Sequence, residues 1–351
     1  MSRFEHFTEQ AEARRLLDAA LREGPAHAYL FHGPKGVGKR ELARAFAHEL
    51  LATTREFHPD LYELDALGEM IRIDAIRELR RDLHMRPFEA DRRVYLILSA
   101  HLMNEDAADA LLKDLEEPPS YAVIVLVADD LGPIPETIRS RCQLVPFRRL
   151  SERAIRELVD ARAPELDEER RVAYARMAAG RVDRADRLLD AKANVRRETL
   201  LAQAREAYLE PAFDPARAAS ALAACARERG IEAKQLEEVK VQALELPTRE
   251  RDQRVRRAQR GAEREELLAQ LEELAAWYRD LVVVAVGAER AAIHVDRLAH
   301  LRADATRERL IGAERAAEAV RDAWRELEEF NLAPQLALEA LFVRVADELH
   351  A

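Results

Sequence analysis

Cysteine is nearly missing: Cys142 and Cys225 stand alone in 351 residues. That excludes a disulfide framework and a Cys-only zinc site. Long apolar runs are missing too. The two longest, Tyr121 to Ala128 and Leu281 to Val286, are far too short to cross a bilayer, so no membrane partner is expected. The first ten residues, Met1 to Gln10, contain no apolar core of the kind a signal peptide needs. The chain is therefore read as cytoplasmic. It also lacks a basic excess: a net charge of -10 argues against a wholesale nucleic-acid coat, although a local basic groove depends on where charges cluster. No internal repeat is evident.

What is present divides into two kinds of sequence. A charged fraction of 35% with 48% apolar residues fits a helix-rich globular chain, and the length suggests two or three domains. Nine of the 14 prolines and six of the 11 glycines precede residue 150. In that half, Ala28 to Phe31, Val94 to Leu98 and Val123 to Ala128 read as buried strands, with Leu61 to Leu64 as a further candidate. Between them, Ile73, Ile76, Leu79 and Leu83 recur at helical spacing, as do Ala107, Ala108, Leu111, Leu112 and Leu115 behind Asn104 as N-cap. Alternating helices and near-continuous apolar strands predict a parallel sheet covered on both faces. After Pro146 the pattern is helical, with one apolar stripe from Leu267 to Leu281 and another from Leu338 to Leu349. The expected boundaries are 1–150 for the α/β domain, 151–194 for a small helical domain and 195–351 for a larger helical one. Arg249 to Arg264 holds seven arginines against Glu250, Asp252 and Glu263. It reads first as a solvated helix face or exposed hairpin, with a nucleic-acid contact as the alternative.

Gly33, Pro34, Lys35, Gly36, Val37, Gly38 and Lys39 follow a predicted strand and precede a predicted helix. In that setting the glycines let backbone N–H groups curl round phosphate, and Lys39 reaches the outer phosphates. The next residue, where a hydroxyl should ligate Mg²⁺, is Arg40, and a guanidinium cannot ligate a cation. The strand from Val94 runs into Leu98 and Ser99 where an acidic pair is needed for metal and water. Glu105 and Asp106 lie beyond the strand and suit helix capping better. Hydrolysis by this chain alone is not expected, and the loop reads as a retained fold element with at most weak ATP or ADP binding.

Several segments resemble bacterial clamp-loader subunits of the AAA+ family: His27 to Lys39, His58-Pro-Asp60, Ile73 to Arg77, Ala108 to Pro119 and Thr137 to Cys142. Ala276 to Leu281 and Asn331 to Ala340 look like that family's C-terminal collar. The resemblance implies an AAA+ P-loop sheet domain, a small helical lid and an all-α oligomerisation collar. It further implies the motor subunits gamma and tau and the delta subunit as partners, with the sliding clamp and primer-template DNA met through the complex. The missing acids make the chain more similar to the non-hydrolysing member than to the motors. Two departures stand out. The zinc module usual before His-Pro-Asp is replaced by Ala52 to Phe57, without cysteine, so no zinc and no other required cofactor is expected. The motors' Gly-Ser-x-Arg reads Gly180-Arg-Val-Asp183 here, with Arg184 displaced by one.

On its residues alone Arg141 is a solvated arginine at the end of a short helix. The resemblance instead implies an arginine finger, acting in trans on a neighbour's γ-phosphate. It also implies that collar faces including Trp277, Tyr278, Leu338 and Phe342 join subunits, the alternative being a core within one chain. Cys142 is read as a small buried residue. The competing functional readings are an active AAA+ motor or branch-migration ATPase, and a nucleotide-binding regulator unconnected to replication.

Overall fold

The computed structural model describes residues 4, 7–55, 57–66, 70–242, 248–329 and 332–350. Met1 to Arg3, within the segment read for a signal peptide, lie outside the described residues, as do Glu56 of the shortened zinc-module segment and Asn331 of the collar motif. The chain separates into two compact units, Met1–Ile155 with Ala179–Asp183, and Arg156–Ala178 with Arg184–Ala351.

The first unit is built on strands β1 (Ala28–His32), β2 (Leu61–Leu64), β3 (Arg93–Ile97), β4 (Ala122–Ala128) and β5 (Gln143–Pro146). They form one parallel sheet in the order β2-β3-β4-β1-β5. The helices are α1 (Ala11–Glu23), α2 (Lys39–Leu50), α3 (Ile73–Leu83), α4 (Glu105–Glu116) and the short α5 (Glu136–Arg139). Side chains alternate across each strand with period two. Tyr29, Phe31, Val123 and Val125 pack with Leu17, Leu42 and Phe46, whereas Leu30, Ile124 and Leu126 pack with Ile76, Leu79 and Leu111. Both faces are apolar because both are covered, as the uninterrupted strands predicted. Asn104 caps α4, its side chain accepting from the Ala107 N–H. The strand the sequence did not reveal is β5: it has four residues, ends in proline and leaves Gln143 and Leu144 exposed. An edge strand of that kind carries little apolar signal.

The described remainder is helical: α6 (Glu152–Arg162), α7 (Glu168–Ala178), α8 (Val182–Leu189), α9 (Ala191–Leu209), α10 (Pro215–Gln242), α11 (Thr248–Ala285), α12 (Leu298–Asp304), α13 (Leu310–Glu329) and α14 (Pro334–His350). The α/β class expected from the sequence, a parallel-sheet domain with a strand–loop–helix at the glycine loop followed by helical regions, is the one observed. Asp190 alone separates α8 from α9, its carboxylate accepting from the Ala193 N–H. In the second unit, alanines on α10 and α13 (Ala218, Ala219, Ala316, Ala317) let helices approach the large side chains of α11. Trp277, Tyr278, Leu338 and Phe342 are fully or almost fully buried in this one-chain core. Of the two readings of these residues, faces joining subunits or a core within one chain, the structure shows the second: their apolar surface is covered by the chain's own helices. No described helix is long and apolar enough to cross a membrane.

Candidate functional site

The C-terminal ends of the parallel strands gather the candidate residues. The loop from Gly33 to Gly38 leaves β1 and turns directly into α2, with Gly36 at φ 73° and Gly38 at φ 91°. Those left-handed conformations favour glycine. Val37 is buried, and its carbonyl accepts from the Gln10 side-chain amide at 3.3 Å. Gln10 also pairs with both the N–H and C=O of Arg148, so a buried side chain near the N-terminus clips the loop to the exit of β5.

Lys39 does not reach outward. Its ammonium donates to the Gly33 carbonyl at 2.6 Å and the Pro34 carbonyl at 2.5 Å, and pairs with Asp129 at 2.8 Å. An ammonium has three donors, and all three are engaged within the chain. Lys39 is 3% exposed. Burial pushes its pKa down, against the opposing pull of Asp129. Asp129 directly follows β4, and its N–H donates to His101 Nδ1.

The position where a metal-ligating hydroxyl would stand is a second closed arrangement. Arg40 forks onto both oxygens of Asp65, at 2.7 and 3.2 Å, and also donates to Ser99 Oγ. Ser99 in turn donates to Asp65 at 3.1 Å. Leu98 is 1% exposed, its N–H spent on the Leu64 carbonyl, and Ser99 sits in the left-handed region at φ 61°. The end of β3 thus presents a buried leucine and a hydroxyl tied to an arginine. Glu105 and Asp106 are exposed in the first turn of α4.

A third carboxylate lies over the loop. The Val182 N–H donates to the Gly36 carbonyl at 2.7 Å, and a Cβ added at Gly36 would meet Asp183 Oδ1 at 1.7 Å. Asp183 is forked by Arg181 at 3.0 and 2.6 Å. Within the second unit Arg184 pairs with Glu272. The Gly180 to Arg184 segment therefore brings a carboxylate, already bound to its own arginine, to the glycine loop.

Arg141 lies in the turn between α5 and β5. Its neighbours explain the Ser-Arg-Cys order: Ser140 Oγ donates to the Thr137 carbonyl, closing the helix end, while Cys142 packs inward. Arg141 Nη1 donates to the Thr137 carbonyl at 2.9 Å and Nη2 to Glu116 at 2.6 Å, with the side chain 34% exposed. Glu116 belongs to the Leu-Glu-Glu-Pro-Pro run, so two motifs read separately in the sequence meet here. Burial pushes the Cys142 thiol up to about 12. With so little thiolate, Cys142 is expected to resist a thiol reagent near neutral pH in the folded protein and to react once urea unfolds it; comparable rates in both states would contradict this.

The residues that sequence reasoning missed are Asp65, Asp129, Asp183 and Gln10. For Asp129 a signal existed, because Asp129 and Asp130 end an apolar strand next to the loop strand. The other three act across long sequence separations that no local pattern marks. Among the described residues, no group of three or more His, Cys, Asp or Glu side chains is placed to hold a metal ion.

Residues 9–151 match the family described as "DNA polymerase III, delta subunit". The tau subunit of DNA polymerase III from Bacillus subtilis is 33% identical over 210 residues, covering 54% of this chain and 37% of that protein. The delta' subunit of DNA polymerase III from the same organism is 34% identical over 148 residues, 38% of this chain and 45% of that protein. The matches thus span less than half the length of these relatives. A solved gamma subunit-related protein of DNA polymerase III from Thermotoga maritima is 18% identical, with 96% of this chain and 99% of that one covered at a TM-score of 0.47. The resemblance to DNA polymerase III subunits that the motifs carry is borne out over this N-terminal region.

Proposed function

We propose that the chain, similar through residues 9–151 to DNA polymerase III subunits, is the non-hydrolysing delta-prime subunit of a bacterial clamp loader. In that reading it acts in the cytoplasm, assembles with the gamma or tau motors and the delta subunit, and helps place the sliding clamp on primed DNA. Its own chemistry is one arginine, Arg141, offered to the γ-phosphate held by a neighbouring motor.

The observation that carries the reading is the closure of the phosphate loop. A working site must offer Lys39 to phosphate and a hydroxyl and carboxylates to Mg²⁺. Here Lys39 is saturated by two carbonyls and Asp129, and Arg40 fills the neighbouring position together with Asp65 and Ser99. An incoming triphosphate has to displace Asp129 and meets Asp183 as a second negative charge. Arg141, by contrast, is at the surface and held in one geometry by Glu116. The deciding experiment is reconstitution of the loader with motor and delta subunits, with and without this chain. Clamp loading should require it, while the purified chain should turn over no ATP.

The longer match to a tau subunit favours a second reading, an active motor. Robust Mg²⁺-dependent hydrolysis by the chain alone would establish that reading instead. A finer test separates closure of the loop from loss of the fold. Asp129→Asn keeps the shape and removes the carboxylate that competes with phosphate for Lys39. ADP binding, followed by calorimetry, should tighten by about tenfold, roughly 1.4 kcal/mol. Unchanged or weaker binding would show that Asp129 is not what keeps the loop closed.

A further inference from the structure

Asp129 occupies Lys39, and a second side chain holds Asp129. His101 sits on a short 3₁₀ turn, Ala100–Leu102, just past β3. The turn is pinned by the Ile71 N–H, which donates to the Leu102 carbonyl at 2.7 Å. From there His101 Nδ1 accepts from the Asp129 N–H at 3.1 Å, and Nε2 lies 3.9 Å from Asp129 Oδ2. The other carboxylate oxygen, Oδ1, is the one 2.8 Å from the Lys39 ammonium. Asp129 is thus held between an ammonium and an imidazole.

The backbone contact fixes the protonation of the ring. A peptide N–H can only donate, so Nδ1 carries no proton and the single ring proton is on Nε2. A second proton has to enter at Nδ1. It turns the acceptor into a donor and breaks the bond that fixes the Asp129 backbone. It also gives the ring a positive charge that competes with Lys39 for the same carboxylate.

We propose that His101 is the latch on the phosphate loop: unprotonated, it holds Asp129 over Lys39, and on protonation it draws Asp129 away and frees the lysine for a phosphate oxygen. The inference rests on the reading of the loop as closed by Asp129, and it adds the group that opens it. The charges facing the ring are Asp129 and Asp130 after β4, and Lys39 and Arg40 at the start of α2. The segment before α3, bridged to Met103 through Ile71, adds the exposed Arg72. Burial lowers the His101 pKa; Lys39 and Arg40 lower it further, and the pull of Asp129 and Asp130 does not restore it. The latch is therefore shut near neutrality and opens below the ordinary imidazole value of about 6.5. His32, at the end of β1, is a second imidazole whose pKa is lowered, by burial and by Lys39, so the test has to separate the two rings.

The test is ADP binding by the full chain, measured by calorimetry at about pH 7.5 and about pH 5. ADP itself gains a proton over that range, so the quantity read is the affinity of Asp129→Asn divided by that of wild type at the same pH. The ratio should be about tenfold at the higher pH and fall to about twofold at the lower, because protonated His101 then does to the wild type what the substitution does to the variant. His101→Asn offers an amide oxygen in place of Nδ1 and takes up no proton. Compared with the double variant His101→Asn/Asp129→Asn, its ratio should stay at about tenfold at both pH values. Circular dichroism checks the fold of each protein at each pH. A wild-type ratio that does not fall in acid overturns the latch. So does an equal fall in the His101→Asn background, which assigns the titration to another group such as His32. No difference between wild type and Asp129→Asn at either pH overturns the underlying reading that Asp129 closes the loop, and the latch with it.

Discussion

Replacing Arg141 with alanine is expected to lower the DNA-stimulated ATPase of a reconstituted loader by about 10³-fold or more at the site it completes, the range found where such an arginine acts in trans. Assembly should be unaffected, because Arg141 is partly exposed and its contacts are with Glu116, Ser140 and the Thr137 carbonyl of its own unit. The reason for so large an effect is differential stabilisation. A guanidinium aimed at charge that develops on the transferring phosphoryl group lowers the barrier without binding the ground state equally. Arg141→Lys should recover little, since a point charge on a flexible stem does not reproduce the planar fork. Glu116→Gln should leave the arginine in place and reduce the rate more mildly, as it weakens only the contact that orients it. Size-exclusion chromatography checks assembly and a coupled assay checks turnover. A loader that contains Arg141→Ala, assembles normally and keeps its full ATPase would remove Arg141 from the mechanism.

The sheet was legible because burial on both faces writes itself into sequence as uninterrupted apolar runs: β1, β3 and β4 are buried along almost their whole length. By the same logic β5 was hidden, since an edge strand with exposed Gln143 and Leu144 needs no such run. The phosphate loop was readable as a motif, and Arg40 and Ser99 as departures from one. What occupies their place was not readable. Asp65 lies 25 residues from Arg40, Asp129 lies far from Lys39, and Asp183 folds back over Gly36. Asp65 and Asp129 are fixed by the order of strands in the sheet, which brings the ends of β2, β3, β4 and β1 to one edge, and Asp183 by the start of α8. The collar motif was legible as a motif, but its pattern left open whether a second subunit or the chain's own helices cover it. An apolar stripe of Trp277, Tyr278 and Leu281 has the same period whether its cover is another subunit or another helix of the same chain.

That covered stripe also holds a buried carboxylate that ties the second unit together. Asp280, inside the Trp-Tyr-Arg-Asp run, is fully buried. It accepts from the N–H groups of Ile293 and His294, each at 2.8 Å, and pairs with His294 Nδ1 at 2.9 Å and with Arg279 at 2.9 Å. One carboxylate therefore fixes the chain just after α11 and sets the His294 ring edge-on to Trp277. Asp280→Ala strands two backbone donors and a buried imidazole, and breaking such a pair from one side costs about 3–5 kcal/mol. Against a total stability of about 5–15 kcal/mol, that is enough to lower the urea midpoint of the helical unit steeply.

The same cluster sets a pH signature. Burial lowers the His294 pKa, but Asp280 and Glu273 outweigh it and leave it raised above the ordinary value. A raised folded-state pKa contributes stability that is fully present below the unfolded value of about 6.5 and is lost as pH climbs through the folded value. Burial raises Glu273, while His294 and Arg197 outweigh it and leave it lowered. Its contribution is present above the unfolded carboxylate value of about 4.3 and disappears in acid. Urea unfolding followed by circular dichroism should thus show the helical unit less stable at about pH 8 than at about pH 6, and Asp280→Asn should flatten that difference by removing the charge nearest His294. A wild-type midpoint that stays level across this range, or an equal slope in Asp280→Asn, would show that His294 is held by packing and not by its charge.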